Sequence, residues 1–573
     1  MLDELVEGKE GKDLLVRAKT GTGKTLAFLV PGIERRVRFL EKEAEGVVRR
    51  EGRGGGRRVG MDTVGVFVIS PTRELATQIA ASALNLSVHH AERGGRGFGV
   101  QLLVGGESRT RQMKGWVEGR KDVVVGTPGR LRDLLEGWQW REEGLKEVFG
   151  RSGECVVVLD EGDTLMDMGF RSEVEAIMGY LKKGEGRQTW MFSATVGKGV
   201  EGVAREVMRR GKWEYVDCVG KGEERDVHGH VRQVNTVVDG GGMGSFEHLL
   251  RLMVHDQLSA LKSGMRSKMM VFLSTTKMTR VFARLVSAVA ARGGVFPVKR
   301  VRVYEMHSGK DMRDRVRISK EFREREVGED EAVIMVSSDV SARGVDYPNV
   351  SRVVQIGVPG SREGYVHRVG RTGRGDAKEG RGDLVLAPWE MGFLKVLGDV
   401  GMEPCTVEGV KNEIEALAGE LGKKVGRIED VAKSVATQAV GEGEYRAAWA
   451  SMAGFYVGNG DGVGLGAIRE VVEGSGRWVE QLGGLEKGSL GIGPDCGLPR
   501  GVMDRLVKDK ERGKQRGRER AWGSYGQSQR RGGWSEGGRE RRGGWSEDRV
   551  RERRSEGENR QPSWMGRGKR RNY

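Results

Sequence analysis

The chain has 573 residues, 37% of them hydrophobic, and a formal net charge of +16. That length favours several domains over one, no run of eighteen apolar residues offers a membrane span, and the positive surplus points to a polyanionic partner, nucleic acid before an anionic membrane surface. The four cysteines, Cys155, Cys218, Cys405 and Cys496, form no C-x-x-C pair, so they give neither a zinc site nor a disulfide framework, and each reads as a core thiol in a reducing interior.

The N-terminal stretch MLDELVEGKEGKDLL is acidic and has no apolar h-region, so it is neither a signal peptide nor an Arg-rich transit peptide. The first core strand follows almost at once, at DLLV (13–16), an abruptness that suggests a natural start further upstream. Further short, apolar, β-branched runs are VGVFVIS (64–70), QLLV (101–104), DVVVG (122–126), CVVVLD (155–160) and TWMFSAT (189–195). Such runs suit strands buried on both faces, and helical stretches between them argue a parallel, doubly wound α/β sheet over residues 1–220. The charged, Gly-rich segment Glu41 to Gly60 reads as a surface insertion. After a polar stretch around Gly220–Val231 the rhythm returns in KMMVFLS (268–274), VRVYEM (301–306), AVIMVS (332–337), RVVQIGV (352–358) and DLVLA (383–387), which predicts a second α/β lobe over 221–400. Helical periodicity in NEIEALAGELGKKV and EYRAAWASMAGFYV predicts a helical extension over 401–500. From 501 to 573 the chain holds 22 Lys/Arg against 11 Asp/Glu and repeats RRGGWSE at 530–536 and 541–547. With few apolar residues to build a core, this tail is expected to be disordered.

Two elements carry chemistry. AKTGTGKT, Ala18 to Thr25, sits between a strand and the helix beginning LAFLV. There the backbone of Ala18, Thr20, Gly21, Thr22 and Gly23 can curl around phosphates, Lys24 can neutralise the β/γ-phosphates, and Thr25 can hold Mg²⁺. Ala18 stands where the general pattern has Gly. The second element is CVVVLDEGD: Asp160 is placed to bind Mg²⁺ and Glu161 to orient the attacking water, both fixed by the apolar strand Val156 to Leu159.

Together with these come PTRELA (71–76), Gly105-Gly106, TPGRL (127–131), DEGD (160–163), SAT (193–195), VFLST (271–275), SSDVSARGVD (337–346) and YVHRVGRTGR (365–374). The ordered set, spanning about residues 13–400, resembles the DEAD-box RNA helicases. The resemblance implies two tandem RecA-like lobes, ATP with Mg²⁺, and RNA recognised through its backbone. It implies an RNA groove from Pro71, Thr72, Arg73, Gly105, Gly106, Thr127, Pro128, Gly129 and Arg130 on lobe one, joined by Ser274, Thr275, Arg315, Ser338 and Asp339 on lobe two. Backbone amides at helix starts and arginines suit sugar-phosphate contacts of this kind. It also implies that Ser193 and Thr195 bond Asp163 to couple ATP and RNA states. Arg371 and Arg374 would act as arginine fingers, Asp346 would contact the ribose, and His367 would join the motifs across the cleft.

Three departures stand out: no adenine-reading motif precedes the phosphate loop, Gly162 replaces Ala in the acidic motif, and Met312 stands where Gln is usual. Within the family the second lobe, extension and tail look most like fungal mitochondrial members that act as chaperones on group I and II introns and in translation. That likeness implies a mitochondrial matrix protein working as a monomer. Arg-rich sequence with spaced Trp522, Trp534, Trp545 and Trp564 suits loose RNA tethering. Three readings stay open at this point: an active RNA helicase and chaperone, a non-catalytic ATP-dependent RNA clamp, and a DNA helicase or translocase, which the PTRELA and TPGRL pair speaks against.

Overall fold

The computed structural model describes residues 12–18, 22–51, 61–92, 97–137, 144–182, 186–209, 211–219, 231–342, 347–373, 380–398, 400–460, 462–492 and 497–508. The first lobe has strands β1 (Asp13–Arg17), β2 (Val66–Ile69), β3 (Val100–Leu103), β4 (Val123–Gly126), β5 (Val156–Leu159), β6 (Gln188–Ser193) and β7 (Trp213–Asp217). The second has β8 (Val231–Val237), β9 (Ser267–Leu273), β10 (Arg300–Met306), β11 (Glu331–Ser337), β12 (Arg352–Ile356), β13 (Gly380–Leu386) and β14 (Glu403–Cys405). The sheet orders are β3-β4-β2-β5-β6-β1-β7 and β10-β11-β9-β12-β13-β8-β14, all pairs parallel. The second order repeats the first strand for strand.

The central strands bury every residue, as in VFVI of β2 and VVVL of β5. Full burial of each such Val or Leu contributes roughly 1.5–3 kcal/mol. Helices cover both faces, so the strands must be apolar on both sides, and this forces connections to run over the sheet and return parallel. The geometry leaves the ends of β1, β5 and β6 side by side: Leu159 pairs with Met191, and Arg17 with Ser193. A buried Asp13 fixes the entry to β1, accepting from the Thr189 amide at 2.9 Å and from the Arg209 amide at 2.7 Å.

Several expectations need correction. Residues 41–51 are not an inserted loop; they continue the helix Lys24–Glu51, because the Glu/Lys/Arg-rich segment has good helix propensity, while 52–60 lie outside the described residues. The second sheet does not stop at residue 400, since β14 pairs with β8. The helices Val407–Glu420, Ile428–Ala439, Glu442–Asn459 and Ile468–Gly483 share one core with the second lobe. In it Trp478 stacks on Phe282 at 6.1 Å and donates from Nε1 to Ser245 Oγ at 3.2 Å. Residues 500–508 are helical, and Leu506 reaches that core; the rest of the tail, from 509, lies outside the described residues. Only Cys155 is a core thiol, its pKa pushed up to about 12 by burial; Cys218 is exposed, Cys405 is half-buried, and Cys496 is not described. No described helix is long and apolar enough to cross a membrane.

Candidate active site and nucleic-acid cleft

The strand ends of the first lobe bring the nucleotide residues together. Ala18 closes β1 by donating its amide to Ser193 O at 3.0 Å, and Gly23 takes φ +82°, a left-handed turn into the helix that starts at Lys24. Lys24 Nζ is buried and has no hydrogen-bond partner among the described residues. Thr22, Gly23, Lys24 and Thr25 are described; Thr20 and Gly21 are not.

Asp160 and Glu161 follow β5. Burial first, and the neighbouring Glu161 charge second, push the Asp160 carboxyl up to about 7, with Lys24 pulling it down. Glu161 is held in left-handed backbone (φ 49°, ψ 59°), strain of the kind that persists at functional sites, and Thr164 Oγ1 donates to its Oε2 at 3.2 Å. Asp163 accepts at Oδ2 from the Ala194 amide, the Thr195 amide and Thr195 Oγ1 at 3.2, 2.9 and 3.0 Å, and its own amide donates to Ser193 Oγ at 3.1 Å. The bonds expected between Ser193, Thr195 and Asp163 are therefore present.

His367 comes from the second lobe. Its Nε2 stands 3.6 Å from Asp163 Oδ2, an electrostatic contact rather than a hydrogen bond, with both side chains buried. Burial alone would raise Asp163, but His367, Lys24 and the Thr195 amide together hold it well below the usual carboxylate range. Arg371 is buried, and its Nε donates to His367 O at 3.2 Å. Asp346 and Arg374 lie outside the described residues.

A cleft of about 1040 Å³ is walled by both lobes. It gathers Pro71, Thr72, Arg73, Gly105, Gly106, Thr127, Gly129, Arg130, Arg315 and Asp339 from the expected groove. A Cβ on Gly105 would stand 3.0 Å from Arg73 Nη2, so glycine is what lets Arg73 lie across that wall. Arg130 is posed by Gln112 Oε1 at 2.6 Å and the Glu107 carbonyl at 3.0 Å. Arg315 lies in the wall, yet its Nη1 is committed to Glu74 Oε1 at 3.0 Å, a buried ion pair between the lobes rather than a side chain directed at a ligand.

Four expected residues do not line the cleft. Pro128 is buried at the start of the helix Pro128–Gly137. Ser274 donates to Val358 O at 2.8 Å, Thr275 caps the helix Thr276–Arg292, and Ser338 donates its amide to Met306 O at 3.1 Å. The Met312 side chain lies outside the described residues. The cleft also contains residues sequence reasoning missed: Asp167, Met168 and Phe170 after the acidic motif, Ser308, Val340, Gly360, Ser361 and Gly364 on lobe two, and Phe455 and Asn459 on the extension. Only the position of Met168 and Phe170, directly behind DEGD, was a signal; Phe455 and Asn459 sit in a helical pattern that gives no hint of the cleft.

The DEAD/DEAH box helicase family profile matches residues 2–203, and the helicase conserved C-terminal domain profile matches residues 246–376. DEAD-box ATP-dependent RNA helicase 26 of Oryza sativa subsp. japonica is 36% identical over 437 residues, covering 75% of this chain and 69% of the relative. Helicase 31 of the same plant is 39% identical over 401 residues, covering 70% of this chain and 64% of the relative. A solved structure of Mss116p, with both termini trimmed and bound to ssRNA and AMP-PNP, shares the fold at a TM-score of 0.68 and 24% identity, over 88% of this chain and 87% of that one. Phosphate loop, acidic strand end and two-lobed cleft thus coincide with these matches, and the chain belongs to the DEAD-box ATP-dependent RNA helicases.

Proposed function

We propose that this chain hydrolyses ATP when RNA closes its two lobes, and that closure on a bent single strand pries short duplexes apart rather than tracking along them. The observation that carries this reading is the helix Arg362–Val369. Its Gly364 lines the cleft while its His367 faces Asp163 of the acidic motif, so one short rigid element touches both sites. RNA contacts made by glycines, helix starts and arginines favour backbone shape over base sequence.

Mg²⁺ fits the acidic edge: Asp160 and Glu161 are adjacent buried carboxyls, and a divalent cation relieves the cost of their charge. Among the described residues no cluster of three His, Cys, Asp or Glu could cage a metal. A Mg²⁺ site built from Asp160, Thr25, waters and nucleotide phosphates needs no such cage. When bound, the ion would neutralise charge on the phosphates; Lys24 adds its own positive charge, and Glu161 orients water.

We further propose that the substrates are structured mitochondrial RNAs, introns and messengers among them, and that the protein works in the matrix as a monomeric RNA chaperone with its basic tail as a tether. Supporting this are the resemblance of the second lobe and extension to the fungal mitochondrial members and the 22 Lys/Arg of the tail. Light scattering of the purified chain and imaging of a tagged chain in cells test assembly and location.

The decisive experiment is an ATPase assay with and without single-stranded RNA, on wild type and on Arg371→Ala plus Arg374→Ala. We expect RNA-stimulated turnover in wild type and none in the variant, with ATP binding kept in both. Turnover retained by the variant refutes the finger assignment; ATP and RNA binding without turnover in wild type makes the chain a clamp instead.

A further inference from the structure

Arg368 lies next to His367 on the helix that joins the two sites and is 0% exposed. Its Nε donates to Asp339 Oδ1 at 2.7 Å, and its guanidinium carbon stands 5.6 Å over the Phe272 ring. Neither Nη has a hydrogen-bond partner among the described residues. Asp339, by contrast, keeps 47% of its side chain exposed and lines the cleft.

A carboxylate is a poor neighbour for phosphate, so its presence in this wall needs a reason. An ionised carboxylate only accepts hydrogen bonds, so whatever it meets must be a donor. Phosphates and ring oxygens of a nucleic-acid backbone cannot donate, whereas the ribose 2′-hydroxyl can, and it is the group that separates RNA from DNA. Arg368 does two things for such an acceptor. It offsets the carboxylate charge from behind, and it occupies Oδ1, which fixes the plane of the carboxyl and leaves Oδ2 for the ligand. An apolar side chain of similar volume would cover Phe272 without burying a guanidinium whose donors are incompletely met. Packing alone therefore does not account for arginine here.

We propose that Asp339 accepts a hydrogen bond from a ribose 2′-hydroxyl, and that Arg368 is the positioning residue that makes the cleft prefer RNA to DNA. The inference rests on reading the cleft as the RNA groove.

The test titrates ATPase activity of the full chain with an RNA strand, the DNA strand of the same sequence, and the RNA strand carrying single 2′-deoxy substitutions. In wild type the half-stimulating concentration should be about tenfold to a hundredfold lower for RNA than for DNA, the range for one hydrogen bond to a charged group. In Asp339→Ala and Arg368→Gln that ratio should collapse toward one, through a rise in the RNA value with the DNA value little changed. Arg368→Lys, which keeps the cation, should recover part of it. One 2′-deoxy position should reproduce the loss in wild type and add nothing in Asp339→Ala. Asp339 is half exposed, so its variant carries the test if Arg368→Gln does not fold. Equal losses for RNA and DNA, an unchanged ratio, or a changed base preference would overturn the proposal. A wild type that answers to neither polymer would sink the groove reading itself, a different result.

Discussion

The two lobes are built on one plan and finished differently. Each has seven parallel strands in the same order, yet the first lobe gathers carboxyls at its functional edge (Asp160, Glu161, Asp163), while the second presents cations and a histidine (His367, Arg368, Arg371). The packing differs as well. In lobe one the core is divided by the sheet into two clusters, whereas in lobe two the cluster on one face runs on into the extension as far as Leu506. The comparison teaches a division of labour. An acidic edge is costly until something positive meets it, and the structure supplies part of that charge from the other lobe, so a single sheet holds half a site.

The largest expected effects come from breaking either half. Glu161→Gln should keep nucleotide binding and lower RNA-stimulated kcat by about a thousandfold, within the range for losing a positioned base, and Arg371→Ala should do at least as much from the opposite side. Steady-state ATPase and a fluorescent-nucleotide titration separate these from loss of binding; a Glu161→Gln protein that still turns over at the wild-type rate would move the chemistry elsewhere. Next come the contacts that hold the halves together. Glu74→Ala leaves Arg315 buried without its partner, which costs about 3 kcal/mol in comparable pairs. We expect roughly hundredfold weaker RNA binding in the presence of a non-hydrolysable ATP analogue, that energy converted at 1.4 kcal/mol per tenfold. No change in that affinity would mean the pair forms no part of the RNA-bound state.

Lobe two carries its own costly carboxyl, deep in the joint with the extension. Burial pushes Glu390 up to about 7, against the Tyr456 hydroxyl and the Ala387 amide that both donate to it. Its folded pKa lies above the 4.5 of an ordinary glutamate, so its contribution is fully present below about 4.5 and is lost as pH rises through about 7. Glu390→Gln cannot titrate. Relative to wild type, the variant should gain about 2 kcal/mol in the unfolding of this lobe between pH 5 and pH 8. Urea melts at the two pH values check it. Asp160 shifts in the same direction but is common to both proteins, so it cancels in the difference. An equal offset at both pH values would show that Glu390 is ionised throughout.

Legibility followed the same split. Strands buried on both faces, such as VVVL and AVIMVS, announce themselves, and so do the Gly, Lys and Asp at their ends, because a parallel sheet puts its ligands there. Three strands gave no apolar run. β7 is an exposed edge, β14 is three residues with a proline, and β8, VRQVNTV, buries polar side chains. Gln233 and Asn235 can be buried because each donates to a carbonyl, of Val400 and Glu403, and Gln233 also accepts from the Tyr365 hydroxyl. Those partners are more than a hundred residues away, so nothing local marks the strand. Pairings across the lobes, Glu74 with Arg315 above all, are likewise invisible to spacing. The extension read as a separate body because its periodicity shows a buried face without saying what buries it.

The smallest expected effect tests how finely the acidic edge is seated. A methyl on Gly162 would stand 3.1 Å from Met191 Cγ and 3.2 Å from Sδ, closer than side chains normally pack. Met191 is fully buried, but its thioether is among the most adaptable groups in a core. Alanine also gains up to about 1 kcal/mol over glycine at a helical position. The two terms nearly cancel, so Gly162→Ala should shift stability by less than about 1 kcal/mol and leave ATPase activity within about threefold. The sharper measurement is the double-mutant cycle. With Met191→Ala the crowding is gone, and Gly162→Ala should then stabilise, giving a clear coupling energy between the two positions. If the two changes merely add, the side chain beneath the motif is not what the glycine answers to, and the seating of Asp160 and Asp163 must be set by the strand ends alone.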